Sequence, residues 1–145
     1  MIAVDITAPP VEYVDDARAH AARLAAVRRL QRAQLTEARR IRAVVADRYG
    51  LTLAHLRSPD RQRTVAEARQ VAMYLMRTDV HWPLPARNAP FPLARIGQLL
   101  GGRDHATVQH GVGAIAARLA SDHTLRYMVR SIRATLDATY ETKEG

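Results

Sequence analysis

The chain contains no cysteine, so disulfides and thiolate metal sites are excluded. Lysine is almost absent: Lys143 is the only one, and the remaining cations are arginines. Aromatic side chains are scarce, with one tryptophan, Trp82, and one phenylalanine, Phe91. No apolar run approaches the roughly 18 residues that span a bilayer. Residues 1–10 lack the basic and apolar regions of a secretory signal, so a cytoplasmic location is expected. There is no Gly-x-x-x-x-Gly-Lys-Ser/Thr loop to cradle phosphates. His105 and His110 are five apart, not the i, i+4 spacing of a metal pair on one helical face, and no further ligands cluster near them. With no nucleotide loop, no ligand cluster and no nucleophile beside a base, neither an enzyme nor a cofactor is expected.

What is present points to a binder of anions. The chain has 145 residues, enough for one compact domain and an extension, and 48% of them are apolar. Its formal net charge of +8 favours a negatively charged partner.

The periodicity is helical throughout. Residues 1–11, with Pro9-Pro10, read as a loose arm. From about Glu12 to Gln34, Val14, Ala17, Ala21, Leu24, Val27 and Leu30 recur at spacings of three and four. Thr36 is a suitable N-cap for a second helix over 37–49, stopped by Gly50. Residues 51–63 read as a loop around Pro59. Thr64 can cap a third helix over 65–77. Pro83, Pro85, Pro90 and Pro92 forbid a helix over 79–92 and predict an extended loop, with Trp82 and Phe91 tucked against the core. A short helix over 93–100, a Gly101-Gly102 turn, a helix over 105–120 and a last helix over 125–139 complete the pattern. The expected class is all-α, five or six helices, with a helix-turn-helix at 93–120. Residues 1–35 form an arm and helical extension, and 36–145 form the domain.

The densest signal is Gly101-Gly102-Arg103-Asp104-His105-Ala106-Thr107-Val108-Gln109-His110. A tight turn leads into short polar side chains at a helix start, which suits a helix entering the major groove N-terminus first. Nine of the ten positions fit the signature of the C-terminal DNA-binding domain of DnaA, the bacterial chromosomal replication initiator; Ala106 departs from it. The resemblance covers about residues 36–139. Val44 to Leu53 is similar to the family's first helix and turn, and Leu56-Arg57-Ser58 with Arg61-Gln62-Arg63 to its basic loop. Ala66 to Leu75 resembles its Arg-Gln-x-Ala-Met-x-Leu helix, and Pro92 to Gly97 its short helix before the signature. The family's ATPase domain would precede this module. Without it, the chain would be the DNA-reading end of an initiator that neither binds nor hydrolyses ATP.

The resemblance implies roles residue by residue. Asp104 would read a base edge, accepting from a cytosine amino group; on its own, the same carboxylate is an ordinary N-cap, and both roles can coexist. His105 would pack on a base. Ala106 keeps a methyl for a thymine but loses the family's hydroxyl. Thr107 and His110 would hold phosphates, with Arg103 and Gln109 contacting DNA beside them. Arg69 would enter the adjacent minor groove, where narrow A·T tracts attract arginine. Arg61 and Arg63 would grip phosphates from the basic loop. Pro59-Asp60 and Glu67 stand where the family often has cations, which predicts a looser grip. Gly111 and Gly113 inside the recognition helix predict close packing against a neighbour.

The function so implied is sequence-specific recognition of double-stranded DNA at a box like that of DnaA. Stand-alone modules of this kind resemble activators of phage-derived or gene-transfer-agent genes. A transcriptional regulator on the nucleoid is therefore expected, meeting RNA polymerase or a sigma-like factor through the N-terminal helix. The alternative is a replication accessory that competes at initiator boxes.

Overall fold

The computed structural model describes the backbone of residues 11–144 and the side chains of 14–139; of the expected arm over 1–11, residues 1–10 lie outside the described residues and Val11 begins the first helix. The elements run α1 (Val11–Arg48), α2 (Leu53–Arg57), α3 (Arg63–Asp79), β1 (His81–Pro83), β2 (Asn88–Pro90), α4 (Leu93–Leu99), α5 (His105–Arg118) and α6 (His123–Glu144). The protein is all-α, with one short hairpin. None of the described helices is long and apolar enough to cross a membrane.

The first expected helix break does not exist. α1 is one helix of 38 residues, with neither glycine nor proline in it. Thr36 therefore caps nothing; its hydroxyl donates back to the Arg32 carbonyl at 3.1 Å, the usual fate of a mid-helix threonine. The division between extension and domain thus falls inside a continuous helix.

The expected loop over 51–63 contains α2. Thr52 Oγ1 accepts from the His55 amide at 3.2 Å, and His55 Nδ1 accepts from the Thr52 amide at 3.1 Å. This is a capping box with histidine where glutamate or glutamine is usual, so the sequence pattern does not announce it. α3 starts at Arg63, with Gln62 in the capping position and no side-chain cap. The expected cap, Thr64, is already inside the first turn.

The proline-rich segment is extended, as expected, but it also pairs. β1 and β2 are antiparallel, with Trp82 opposite Ala89. The Leu84 amide closes the turn on the Arg87 carbonyl at 2.8 Å. Prolines are tolerated here because a two-stranded ribbon needs few of its amides. Trp82 and Phe91 are both buried and meet edge to face at 5.5 Å between ring centres. Arg95 lies over the Trp82 ring at 4.7 Å, and Gln31 Nε2 donates to the Pro83 carbonyl at 2.7 Å, tying the hairpin to α1.

α3 runs through the centre. Val65, Ala68, Val71, Ala72, Met73, Leu75 and Met76 are all buried along it. Ile41 and Val45 of α1, Val108 and Ile115 of α5, and Leu125, Val129 and Ile132 of α6 close around them. Asp122 opens α6 as its cap, accepting from the Leu125 amide at 2.9 Å, and the helix runs from His123. Arg126 then donates to the carbonyls of Leu119 and Ala120 just beyond α5.

Candidate nucleic-acid interface

The turn between α4 and α5 is built from glycines for stated reasons. Gly101 and Gly102 have φ of 95° and 86°, the left-handed region that side chains disfavour. A Cβ on Gly101 would overlap the Arg57 carbonyl, and one on Gly97 the Arg103 carbonyl. The Gly97 carbonyl accepts from the amides of both Gly102 and Arg103, at 2.9 and 3.0 Å. The turn is therefore seated on α2 from one side and on the end of α4 from the other.

Asp104 follows as the N-cap of α5, its Oδ1 accepting from the Thr107 amide at 2.8 Å. That amide, with the Thr107 hydroxyl, holds the exposed carboxyl below its ordinary range, so it carries its charge into solvent. His105, Ala106, Thr107, Gln109 and His110 are all exposed. Val108, Gly111 and Ile115 point the other way and are buried. Six of the sequence-singled residues, Asp104 to Thr107 with Gln109 and His110, thus share the first turns of one exposed helix. The expected close packing holds at Gly111, where a Cβ would lie 2.5 Å from Met73 Sδ, but not at Gly113, which faces open space.

The basic loop between α2 and α3 is fixed by its own polar groups. Ser58 Oγ donates to the His55 carbonyl at 2.7 Å and accepts from the Asp60 amide at 3.2 Å. Asp60 Oδ1 accepts from the Gln62 amide at 2.8 Å. Arg69 reaches across from α3, donating from Nε to the Leu56 carbonyl at 3.0 Å and from one terminal nitrogen to the carbonyls of Ser58 and Asp60. It is 7% exposed. Arg103 is half-buried and donates to the Leu100 and Ser58 carbonyls. Burial lowers the pKa of both guanidiniums, and Arg103 lowers that of Arg69 further. Arg69 and Arg103 therefore hold the loop, whereas Arg61 and Arg63 are exposed and make no ion pair among the described residues.

Other residues at the interface carry weaker sequence signals. Arg57 is exposed directly behind the glycine turn. Arg42 of α1 donates to the Leu99 carbonyl at 2.8 Å; burial lowers its pKa, as do the nearby charges of Arg57 and Arg39. Only an arginine count hints at this cationic group, because its members come from separate elements. Glu67, which stands among expected cations, faces inward instead. It accepts from the Tyr49 hydroxyl at 2.9 Å and from Arg118 at 2.8 Å, and Arg118 also pairs with Asp122. Burial, and then Glu67, push the Tyr49 pKa up. This chain of contacts fastens the residue that follows α1 to α3 and to the end of α5.

Comparison with known proteins accords with this geometry. Residues 38–115 match the family model described as the bacterial dnaA protein helix-turn-helix. The chain is 41% identical over 103 residues to the chromosomal replication initiator protein DnaA of Chloroflexus aurantiacus, covering 71% of this chain and 20% of that protein. For the DnaA of Thermomicrobium roseum the identity is 41% over 108 residues, covering 74% and 21%. For that of Cereibacter sphaeroides it is 38% over 98 residues, covering 68% and 20%. The chain spans about a fifth of the length of these relatives.

Proposed function

The chain belongs to the family of bacterial DnaA helix-turn-helix domains, and on that premise we propose that it reads a specific box in double-stranded DNA. The observation that carries this reading is the exposed start of α5. A charged carboxylate, two imidazoles, a threonine and a glutamine stand there together, on a helix whose opposite face is locked into the core. In the major groove, Asp104 accepts from a cytosine amino group, and the Ala106 methyl meets a thymine methyl. His105 packs on a base. Thr107 and His110 hold phosphates, with Gln109 alongside. Arg61 and Arg63 grip the backbone from the loop. Of the exposed cations Arg57, Arg61 and Arg63, Arg61 is the one that lies in the loop itself, between α2 and α3, whereas Arg69 is occupied by three carbonyls. We therefore assign groove entry to Arg61 and loop positioning to Arg69 and Arg103.

The process served is regulation of transcription from promoters that carry such a box, which locates the protein on the nucleoid. Such a role calls for contact with RNA polymerase or a sigma-like factor. A second reading, a replication accessory at initiator boxes, is favoured by the relatives' description as chromosomal replication initiators. Genome-wide mapping of bound sites separates the two. Peaks at promoters support transcription, and peaks confined to the replication origin overturn it. Selection from a randomised duplex library tests box reading itself; recovery of no preferred sequence would sink it.

A further inference from the structure

α1 outruns the body of the protein. Residues 15–23 are exposed without exception, and Leu30 is 54% exposed. The helix first engages the fold at Gln31, through the Pro83 carbonyl, and enters the core at Ala38, Ile41 and Val45. The seam that docks there does not stop at the body. Going outward from Ala38 and Leu35 it continues at alternating steps of three and four through Gln31, Arg28, Leu24, Ala21, Ala17 and Val14. That is the spacing of a helix packed along another helix. A helix of this length with solvent on every side has little of its own to hold it.

Its carboxylates and most of its arginines lie at different ends. Asp15 and Asp16, the two carboxylates of 14–31, sit at the outer end with Arg18 just after them, and Arg23, Arg28, Arg29 and Arg32 sit nearer the body. None of them makes an ion pair among the described residues. A duplex would suit the arginine half but would repel the outer carboxylates and leave the apolar seam wet. A parallel second copy would set carboxylate on carboxylate and arginine on arginine. An antiparallel copy sets each acidic end against a basic one.

We propose that the α1 extension pairs antiparallel with the same segment of a second copy of this chain, over residues 14–31. In that register Ala21 faces Leu24 of the other copy, and Ala17 faces Arg28, whose long side chain has room to fold over the alanine. Asp16 of each copy then lies beside Arg28 and Arg29 of the other. The pairing has two-fold symmetry, so each residue contact occurs twice. It holds the two DNA-reading modules at opposite ends, with their Ala38 positions about 45 Å apart at 1.5 Å rise per residue. The dimer would therefore favour inverted pairs of boxes.

Sedimentation velocity on the full chain over a concentration series tests this. The wild type is expected to show a concentration-dependent dimer. Asp15→Arg with Asp16→Arg sets arginine against arginine in the paired state. Arg28→Asp with Arg29→Asp sets carboxylate against carboxylate. Each double variant alone should dissociate at least about tenfold more readily. Mixing the two should restore dimers, and so should all four substitutions in one chain, with circular dichroism confirming unchanged helix in every variant. A wild type that stays monomeric up to its solubility limit would overturn the proposal. So would dimers indifferent to both swaps, the signature of a parallel pair or another interface. Loss of DNA affinity in Arg28→Asp with Arg29→Asp beside a monomeric wild type would mean that the helix rides on the duplex instead.

Discussion

Arg69 and Arg103 donate to the same oxygen, the carbonyl of Ser58. One comes from the central helix α3 and the other from the turn that starts the recognition helix. The loop bearing Arg61 is thereby tied to both, and two like charges are held close by the acceptors between them. On the proposed reading the exposed loop cations gain from this, because a preordered loop loses less freedom on binding.

Arg69→Ala should therefore act through the fold. It leaves the carbonyls of Leu56 and Asp60 without that donor and Ser58 with Arg103 alone, and a loss of about 1–3 kcal/mol is expected for the buried Leu56 acceptor left unpaired. Arg69→Lys should not restore it, since a single ammonium cannot span the three positions of the planar guanidinium. Melting temperature should fall, amide exchange over 58–62 should accelerate, and affinity should weaken alike for all duplexes. A changed preference at flanking A·T steps with stability intact would instead mean that Arg69 itself reads the groove.

Arg61 and Arg63 are exposed, so replacing either with alanine should leave thermal stability unchanged. For Arg63→Ala, binding to specific and random duplexes should weaken about alike, and the slope of log affinity against log salt should drop by about one unit. Arg61→Ala should lower the slope similarly and also weaken the preference at flanking A·T steps; an equal loss on all duplexes would remove Arg61 from the minor groove. A slope near zero for the intact protein would defeat the interface altogether.

Asp104 caps α5 and, on the proposed reading, also reads a base. Its pKa is lowered by the Thr107 amide, so its capping contribution is fully present above the ordinary aspartate value and fades as pH falls through its folded-state value. Asp104→Ala should flatten that acid limb of the stability curve and lose about tenfold or more in discrimination at one base pair. Asp104→Asn keeps an acceptor for the cap. It should retain the helix yet alter the preferred base. Identical base preferences in both variants and the wild type would remove Asp104 from the readout.

α5 and the turn before it were legible because their chemistry is local. Gly101, Gly102, Asp104 and the exposed polar run are consecutive, so a string suffices to find them. Trp82 and Phe91 were legible as core for a similar reason: large aromatics in a charged, arginine-rich chain have few other places to go. The hydrogen bonds of Arg69 were not legible, because its partners are carbonyls at 56, 58 and 60, in a loop whose path only the folded chain sets. Thr36 misled because a capping side chain is necessary for many helix starts and sufficient for none. With no glycine or proline nearby, the backbone keeps its ladder and the hydroxyl bonds back to Arg32. α2 escaped because histidine replaced the usual capping-box acid.

Gly111 and Gly113 look equivalent in sequence and should behave oppositely. Gly113 faces open space, so Gly113→Ala should stabilise the helix by up to about 1 kcal/mol. At Gly111 a Cβ would press on Met73 Sδ at 2.5 Å, and Met73 is 2% exposed. Gly111→Leu should cost about 1–3 kcal/mol by overpacking the α3–α5 contact, with Gly111→Ala between the two. Thermal unfolding of the three variants checks the order. An unaffected Gly111→Leu would mean that α5 is looser on α3 than its buried face indicates.

Removal of residues 1–34 separates the two parts of α1. The segment that would be lost includes Leu24 and Val27, which are only half-buried, and Gln31, whose bond to Pro83 ties it to the body. Ala38, Ile41, Val45 and Ala46, which fill the core, all remain. The truncated chain should fold, losing the roughly 0.5–1.5 kcal/mol of one hydrogen bond and little more. Its affinity for a single box should match the full chain's, because the exposed start of α5 and the basic loop are untouched. What should disappear is preference for two inverted boxes over one, together with any output of a promoter-activity assay that depends on it. Melting curves, single-box and double-box titrations and that assay together decide the matter. An unfolded truncation would place residues 1–34 in the core, and the extension would cease to be a separable part.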